Sequence, residues 1–330
     1  MLTIYADNVN DAFDKAVIQM ERVGVKSNSR NGGVSVAPHP VMTVYERPWE
    51  RVLFNRHRDA NPFFHLFECL WMLSGSNEGV WLDRFVSDFS ARYGEPDKMG
   101  MIWGAYGNRW RRWFGFDQLD VTVNRLVTNP NDRRVVIQMW DAMNDYVDPV
   151  TDIDDETGIP FEEPRDVPCN TVLYPRIVGG ALDITVTCRS NDVVWGAYGA
   201  NAVHFSFLQE YLAGRIGVKV GKYYQLSNNW HLYDSVADRF QRDPLTIYPR
   251  TTAIGENWSK WDADLKKFMG NPEAIVYENG WFLYVARPMW KTHALWKSGD
   301  RTGALRAVQE VQAHDWRMAA TDWMNRRMAK

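Results

Sequence analysis

Apolar positions in the first quarter of the chain fall into two helical patterns. Between residues 10 and 23, Phe13, Val17 and Met20 recur every three to four positions and line one face of a helix. Asn10 stands where an N-cap belongs, and Gly24 where a C-terminal cap belongs. The run Phe63 to Leu73 is apolar nearly all round and predicts a buried helix. Asn61-Pro62 opens it, with proline in the first turn, and Ser74-Gly75 closes it. Glu68 is the single charge inside that run. A buried carboxylate without a partner is costly, so Glu68 requires a partner or a chemical task.

The rest of the pattern is strand-like with helices between. A turn at Asn28 to Gly33 leads into Val34-Ser35-Val36, and residues 133–140 read as a buried strand. Residues 170–178 and 181–189 predict a hairpin about Gly179-Gly180. In its second arm Leu182, Ile184, Val186 and Cys188 share one face, and Asp183, Thr185, Thr187 and Arg189 the other. A helix is expected over 202–213, ending at Gly214, and a strand over 222–227. An acidic, proline-containing surface insertion lies near 148–165, and Asp315 to Lys330 reads as a basic helix. No repeat and no boundary interrupts this order. The prediction is therefore one α+β domain over 1–330.

Composition adds little to the fold but bounds the function. Of 330 residues 45% are hydrophobic, enough for a large core, and the 16 tryptophans suit flat aromatic pockets. A net charge of −3 argues against a nucleic-acid polymer as partner. Basic residues cluster locally, at Arg109 to Arg112 and at Arg133-Arg134, as a small anionic ligand would require. The three cysteines, Cys69, Cys169 and Cys188, show no metal-ligand spacing and imply a reducing compartment. No leader-like segment and no membrane-length apolar run is visible. The expectation is a cytoplasmic protein, in the host cytoplasm if the source is viral.

Chemistry concentrates in four segments. They are Asp166-Val167-Pro168-Cys169-Asn170-Thr171, Arg189-Ser190-Asn191-Asp192, Gly196 to Asn201, and Asn228 to Tyr233. Alone, each has a plain structural reading. A cysteine at a strand start is commonly just buried, Arg133-Arg134 reads as a solvated strand start, and a lone histidine is usually structural. In order along the chain, however, they resemble the thymidylate synthase superfamily, which includes the pyrimidine nucleotide hydroxymethylases. The resemblance runs from about Arg30 to Tyr233. It rests on Glu68-Cys69-Leu70-Trp71, Tyr106-Gly107-Asn108-Arg109-Trp110-Arg111, Arg133-Arg134, Pro168-Cys169-Asn170, Arg189-Ser190-Asn191-Asp192 and His231-Leu232-Tyr233.

The resemblance implies a large mixed sheet flanked by helices and a homodimer joined sheet to sheet. It implies 5,10-methylenetetrahydrofolate as one-carbon donor and a pyrimidine nucleoside monophosphate as substrate. Cys169 would add to C6 of the base, giving C5 carbanion character. Such a thiol needs nearby cations, of which Arg189 is the candidate. Arg30, Arg189 and Ser190 would bind the phosphate, with Arg133 and Arg134 reaching across from the second subunit. His231 and Tyr233 would hold the sugar. Glu68 and Tyr106 would serve proton transfers, Asp192 and Trp71 the folate. Asn201 would read the base, since its amide matches uracil O4 and N3–H.

Four departures from the family pattern bear on the outcome. Asn170 stands where the family has histidine. One extra residue falls between Gly196 and Asn201. The region near Phe89-Ser90 lacks the tryptophan that shields the intermediate in methylating members. The C-terminus is a basic helix rather than a short apolar tail. A less shielded intermediate favours water over hydride. The expected reaction is hydroxymethylation of dUMP. A thymidylate synthase making dTMP, and a dCMP or CMP hydroxymethylase, stay open as alternatives.

Overall fold

A computed structural model describes residues 1–95, 98–147, 152–153 and 164–329. Eight strands form one mixed sheet. They are β1 (Leu2–Ala6), β2 (Val25–Ser29), β3 (Gly32–Val36), β4 (Val41–Tyr45), β5 (Ile137–Gln138), β6 (Asn170–Val178), β7 (Ala181–Asp192) and β8 (Lys219–Tyr233). The order is β1-β4-β8-β7-β6-β5, with β3 on the last residues of β8 and β2 outside it. β7 and β8 run parallel, as do β1 and β4, and the other pairs are antiparallel. A parallel pair needs a crossover, and here the helix Ala202–Ile216 supplies it. The α+β sheet-and-helix architecture is the one expected.

The hairpin forms as predicted, with Gly179 at φ +56° and Gly180 at φ +77°. Two left-handed residues in a two-residue loop match the twist of the strands they join. In β7, Leu182, Ile184 and Val186 are fully buried, while Arg189 is exposed. The buried face carries the Ala202–Ile216 helix, against which α2 (Pro62–Leu73) packs. Asn61 caps α2 by accepting from Phe63 N and Phe64 N. One continuous core runs from Ile4 to Met324.

Several expectations need correcting. The first helix, α1 (Val9–Val23), is capped by Asn8, whose side chain accepts from Asn10 N and Asp11 N. Asn10 is buried instead, donating to Val52 O and accepting from Phe54 N. The Ala202–Ile216 helix runs through Gly214 and stops at Gly217. Gly214 serves packing, because a Cβ there would lie 2.0 Å from the Trp258 ring. The 133–140 run alternates in burial but pairs over two residues alone. β8 spans fifteen residues, far beyond 222–227. The insertion near 148–165 lies almost wholly outside the described residues.

The predicted C-terminal helix forms at His314–Met328 and docks on the start of α2. Trp323 meets Phe63 edge-on, and Arg326 and Arg327 both bind Asp59 at 2.9 Å. No helix among the described residues is long and apolar enough to cross a membrane.

Candidate active site

The ends of β6, β7 and β8 bring the motifs together. Cys169 immediately precedes β6. Ser190 and Asp192 at the end of β7 lie opposite Asn229 and His231 of β8. Arg189 fastens the nucleophile segment. Its backbone N–H donates to Cys169 O at 2.8 Å, its Nε to Pro168 O at 2.9 Å and its Nη2 to Val167 O at 3.1 Å.

Cys169 is half-buried, whereas Cys69 and Cys188 are buried. Burial pushes the Cys169 thiol above its ordinary value. Arg189 and Arg30 pull it down, Asp166 pushes it up, and burial wins. Arg189 is thus the larger cationic influence on a thiol that burial nonetheless keeps protonated. Burial raises the Cys69 and Cys188 thiols too.

Beside the sulfur runs a buried amide network. Asn170 is 0% exposed. Its Nδ2 donates to Tyr106 Oη at 2.8 Å and to Asn201 Oδ1 at 2.9 Å, and its backbone N–H donates to Tyr106 Oη at 3.0 Å. Asn201 Nδ2 donates to Asn191 Oδ1 at 3.1 Å, and Asn191 Nδ2 to Ser227 Oγ at 2.8 Å. Each amide is therefore fixed in orientation. Asn201 keeps one lone pair and one N–H for a ligand, the complement of uracil N3–H and O4. Burial raises the Tyr106 hydroxyl well above its usual range, so it stays protonated.

Two carboxylates complete this end. Glu68 Oε2 lies 2.8 Å from His204 Nε2, without the alignment of a hydrogen bond. Glu68 is half-buried rather than buried, and that histidine is its partner. Asp166, three residues before Cys169, is half-buried and feels the charge of Glu68.

The remaining candidates are spread around this centre. His231 is buried, its Nδ1 2.9 Å from Asn229 Oδ1, with Tyr233 edge-on at 4.9 Å. Arg30 sits exposed in the turn between β2 and β3. Ser190 is half-buried beside Arg189 and uses its carbonyl to accept from Cys188 Sγ. Arg133 and Arg134 are exposed ahead of β5 and do not join Cys169 of their own chain; Arg134 folds back onto Asp132. Trp71 is buried and donates to Glu78 O at 3.1 Å.

Comparison with known proteins now decides the family. The profile described as Thymidylate synthase matches residues 57–253. A protein of Pseudomonas phage M6 named deoxyuridylate hydroxymethyltransferase is 40% identical, over all of this chain and 95% of that one. One of the same name from Bacillus phage SP01 is 31% identical, over 63% of this chain and 53% of its own. A putative thymidylate synthase of Methanothermobacter thermautotrophicus is 24% identical, over 70% of this chain and 93% of its own.

The chain belongs to the thymidylate synthase family. Membership makes the structural departures informative. The segment Val193–Asn201, which contains the extra residue, forms a widened helical turn with π-type pitch. Such turns take up single insertions without breaking the helix. Asn201 still reaches Asn170.

The residues around Asp192 fit the folate that the resemblance implies. Asp192 Oδ1 accepts from Val194 N at 2.9 Å and Trp195 N at 2.6 Å, while its Oδ2 is buried with no partner among the described residues. An orphaned carboxylate oxygen fits the N–H groups of a pterin. Next to it Trp195 is 45% exposed, with Arg58 at 4.4 Å and Arg239 at 5.4 Å from its ring. Sequence reasoning missed Arg58, Trp195, Asn191, Ser227 and His204. Only Asn191 had a signal, as the unassigned member of Arg189-Ser190-Asn191-Asp192.

Proposed function

We propose that this protein transfers a one-carbon unit from 5,10-methylenetetrahydrofolate to C5 of dUMP and finishes with water, yielding 5-hydroxymethyl-dUMP. The observation that carries the reading is the 40% identity, along the whole chain, to the phage deoxyuridylate hydroxymethyltransferase. The orientation of Asn201 supports uracil over cytosine. Cytosine offers no N3–H, so its pattern would clash with the lone pair that Asn201 Oδ1 presents.

In this reading Cys169 Sγ adds to C6, and the displaced π electrons move to C5 and O4. Asn201 and its neighbours receive that developing charge. The folate, when bound, supplies the electrophilic one-carbon unit. Asp192 Oδ2 would accept from the pterin, and Trp71 would contribute by holding the turn at Glu78. Tyr106, the neighbour of Cys169, and Glu68, paired with His204, handle the protons at the base and cofactor. Arg30, Arg189 and Ser190 take the phosphate, and His231 and Tyr233 the deoxyribose hydroxyl.

The exposed face of the sheet is assigned to a second copy of the chain. Tyr174 is 46% exposed there, among half-buried Val172, Thr185 and Thr187. Arg133 and Arg134 of the partner subunit would complete the phosphate site. Mixing inactive Cys169→Ser with inactive Arg133→Ala/Arg134→Ala protein tests this. Activity returning to about a quarter of wild type is expected from subunits that exchange at random. No recovery despite exchange overturns the shared site.

The reaction is tested by incubating the protein with dUMP and the folate, with mass spectrometry of the nucleotide and absorbance of dihydrofolate. Hydroxymethyl-dUMP without dihydrofolate is expected. Stoichiometric dihydrofolate with dTMP, or preferred turnover of dCMP or CMP, overturns the reading.

A further inference from the structure

We propose that Asp166 is the general base that holds the final water and takes its proton. This rests on the hydroxymethylation reading and deepens it. A hydroxymethylating site differs from a methylating one in a single demand. It must bring water to the methylene carbon carried on C5, and it must accept a proton from that water.

Three observations single out Asp166. First is its place. It lies three residues before Cys169, and its charge acts on both the Cys169 thiol and the Tyr106 hydroxyl. Its carboxyl lies against Gly104, two residues before Tyr106, where Pro168 of the nucleophile segment also packs. Second is close packing. A Cβ on Gly104 would stand 3.0 Å from Asp166 Oδ2 and 2.4 Å from its backbone O, so the glycine leaves the room in which this carboxyl sits. Third is its lack of a partner. Of the other carboxyls of the site, Glu68 stands 2.8 Å from His204 Nε2, and Asp192 accepts two backbone N–H groups through Oδ1. No hydrogen-bond donor among the described residues reaches Asp166. A half-buried carboxyl with no protein donor binds water.

The charges facing it suit the task. Burial pushes its pKa up to about 6, Glu68 and Glu95 add to this, and Arg109 and Arg189 oppose it. At neutral pH the base form dominates, yet it still binds a proton far better than a surface aspartate does.

The step balances. A water lone pair forms the bond to the exocyclic methylene carbon. One water proton passes to Asp166. The methylene π electrons shift into the ring as a C5–C4 enolate. The enolate then expels the Cys169 thiolate from C6, restoring the C5–C6 double bond and leaving a hydroxymethyl group on C5.

The test compares wild type, Asp166→Asn and Gly104→Ala. Release of tritium from [5-³H]dUMP reports the earlier steps, and hydroxymethyl-dUMP reports the last one. In a single turnover with enzyme in excess, tritium release by Asp166→Asn stays within about threefold of wild type and the rate of hydroxymethyl-dUMP formation falls about 100-fold, the usual range for a lost general base. Added 2-mercaptoethanol then captures the methylene carbon as a thioether. Gly104→Ala shifts the same partition in the same direction, because it displaces the carboxyl.

A readout without folate or turnover accompanies this. The raised pKa means that the folded state resists ionising Asp166, a penalty absent below about pH 4 and complete above about pH 6. The melting temperature of substrate-free Asp166→Asn, which mimics the neutral acid, therefore rises relative to wild type as pH goes from 4 to 8. Wild-type partition in the asparagine variant, or a melting difference that does not change with pH, overturns the role of Asp166. A wild type that makes dTMP instead overturns the underlying reading.

Discussion

Asn170→Ala probes the amide network at its centre. The side chain gives two hydrogen bonds from Nδ2, to Tyr106 Oη at 2.8 Å and to Asn201 Oδ1 at 2.9 Å. Each such bond contributes about 1 kcal/mol net, and a buried acceptor left alone costs about 1–3 kcal/mol. The backbone donation from Asn170 N to Tyr106 Oη survives, so Tyr106 is not orphaned. In the other direction, Asn170 Oδ1 has no partner among the described residues and leaves with the side chain, which relieves a penalty. The balance is a destabilisation of about 1–3 kcal/mol, or roughly 2–5 °C in melting temperature for a chain this long. Function should suffer more than stability. Asn201 loses one of its two fixing contacts, and its amide is free to turn. Misplacing a group that orients the reacting base costs on the order of 100-fold. The assay is kcat/KM for dUMP and dCMP beside a thermal melt. The dUMP value is expected to fall about 100-fold, and the preference for dUMP over dCMP to narrow. Folded protein with unchanged base preference would show that Asn201 is held without Asn170 and would refute this reasoning.

Three further predictions address other parts of the molecule. Removing the guanidinium in Arg189→Ala should push the Cys169 thiol higher still, so the pH profile of iodoacetamide labelling moves to higher pH; an unmoved profile would mean that the cation does not reach the sulfur. For Asp59, burial raises the carboxyl, but Arg327 and Arg326 outweigh it and hold the pKa below the usual value. The stabilisation is therefore present above about pH 4 and lost as pH falls through the lowered value. In Asp59→Asn, a residue type that tolerates the left-handed φ of +49°, hydrogen exchange over 314–328 should be faster at pH 7, with the gap closing in acid; equal exchange at pH 7 would remove the clamp. Gly214→Ala forces a Cβ into the Trp258 ring. It should cost about 1–3 kcal/mol and alter the near-ultraviolet circular dichroism, and an unchanged melt would show that the ring yields freely.

What the sequence disclosed depended on whether its signals were local. α2 was legible because its apolar run, its capping asparagine and its proline all lie within twelve residues. The 179–180 hairpin was legible because two glycines specify its loop. β8 was not, because Lys219 to Tyr233 mixes polar and apolar residues. It becomes a fifteen-residue strand only because β7, β4 and β3 each claim part of it. The 133–140 run failed the other way. Its apolar content suits a long strand, yet its neighbour β6 starts only at Asn170, with a register shift before Val172.

The same division holds in the site. Cys169, Arg189, Asn201, Asp192 and His231 enter the proposed site from motif order. The partners that orient them could not be read from it, because the choice of His204 for Glu68, or Ser227 for Asn191, is made across more than thirty residues of chain. The misfit before Asn201 lies between these cases. The sequence registers one residue too many but cannot say where it goes. Had the insertion bulged outward at Ala197 to Ala200, Asn201 would have turned away from Asn170, and the case for a base-reading amide would fail. Because the turn widens within the helix instead, Asn201 enters the next regular turn with its amide between Asn170 and Asn191. The departure that most threatened the uracil assignment is thereby compatible with it.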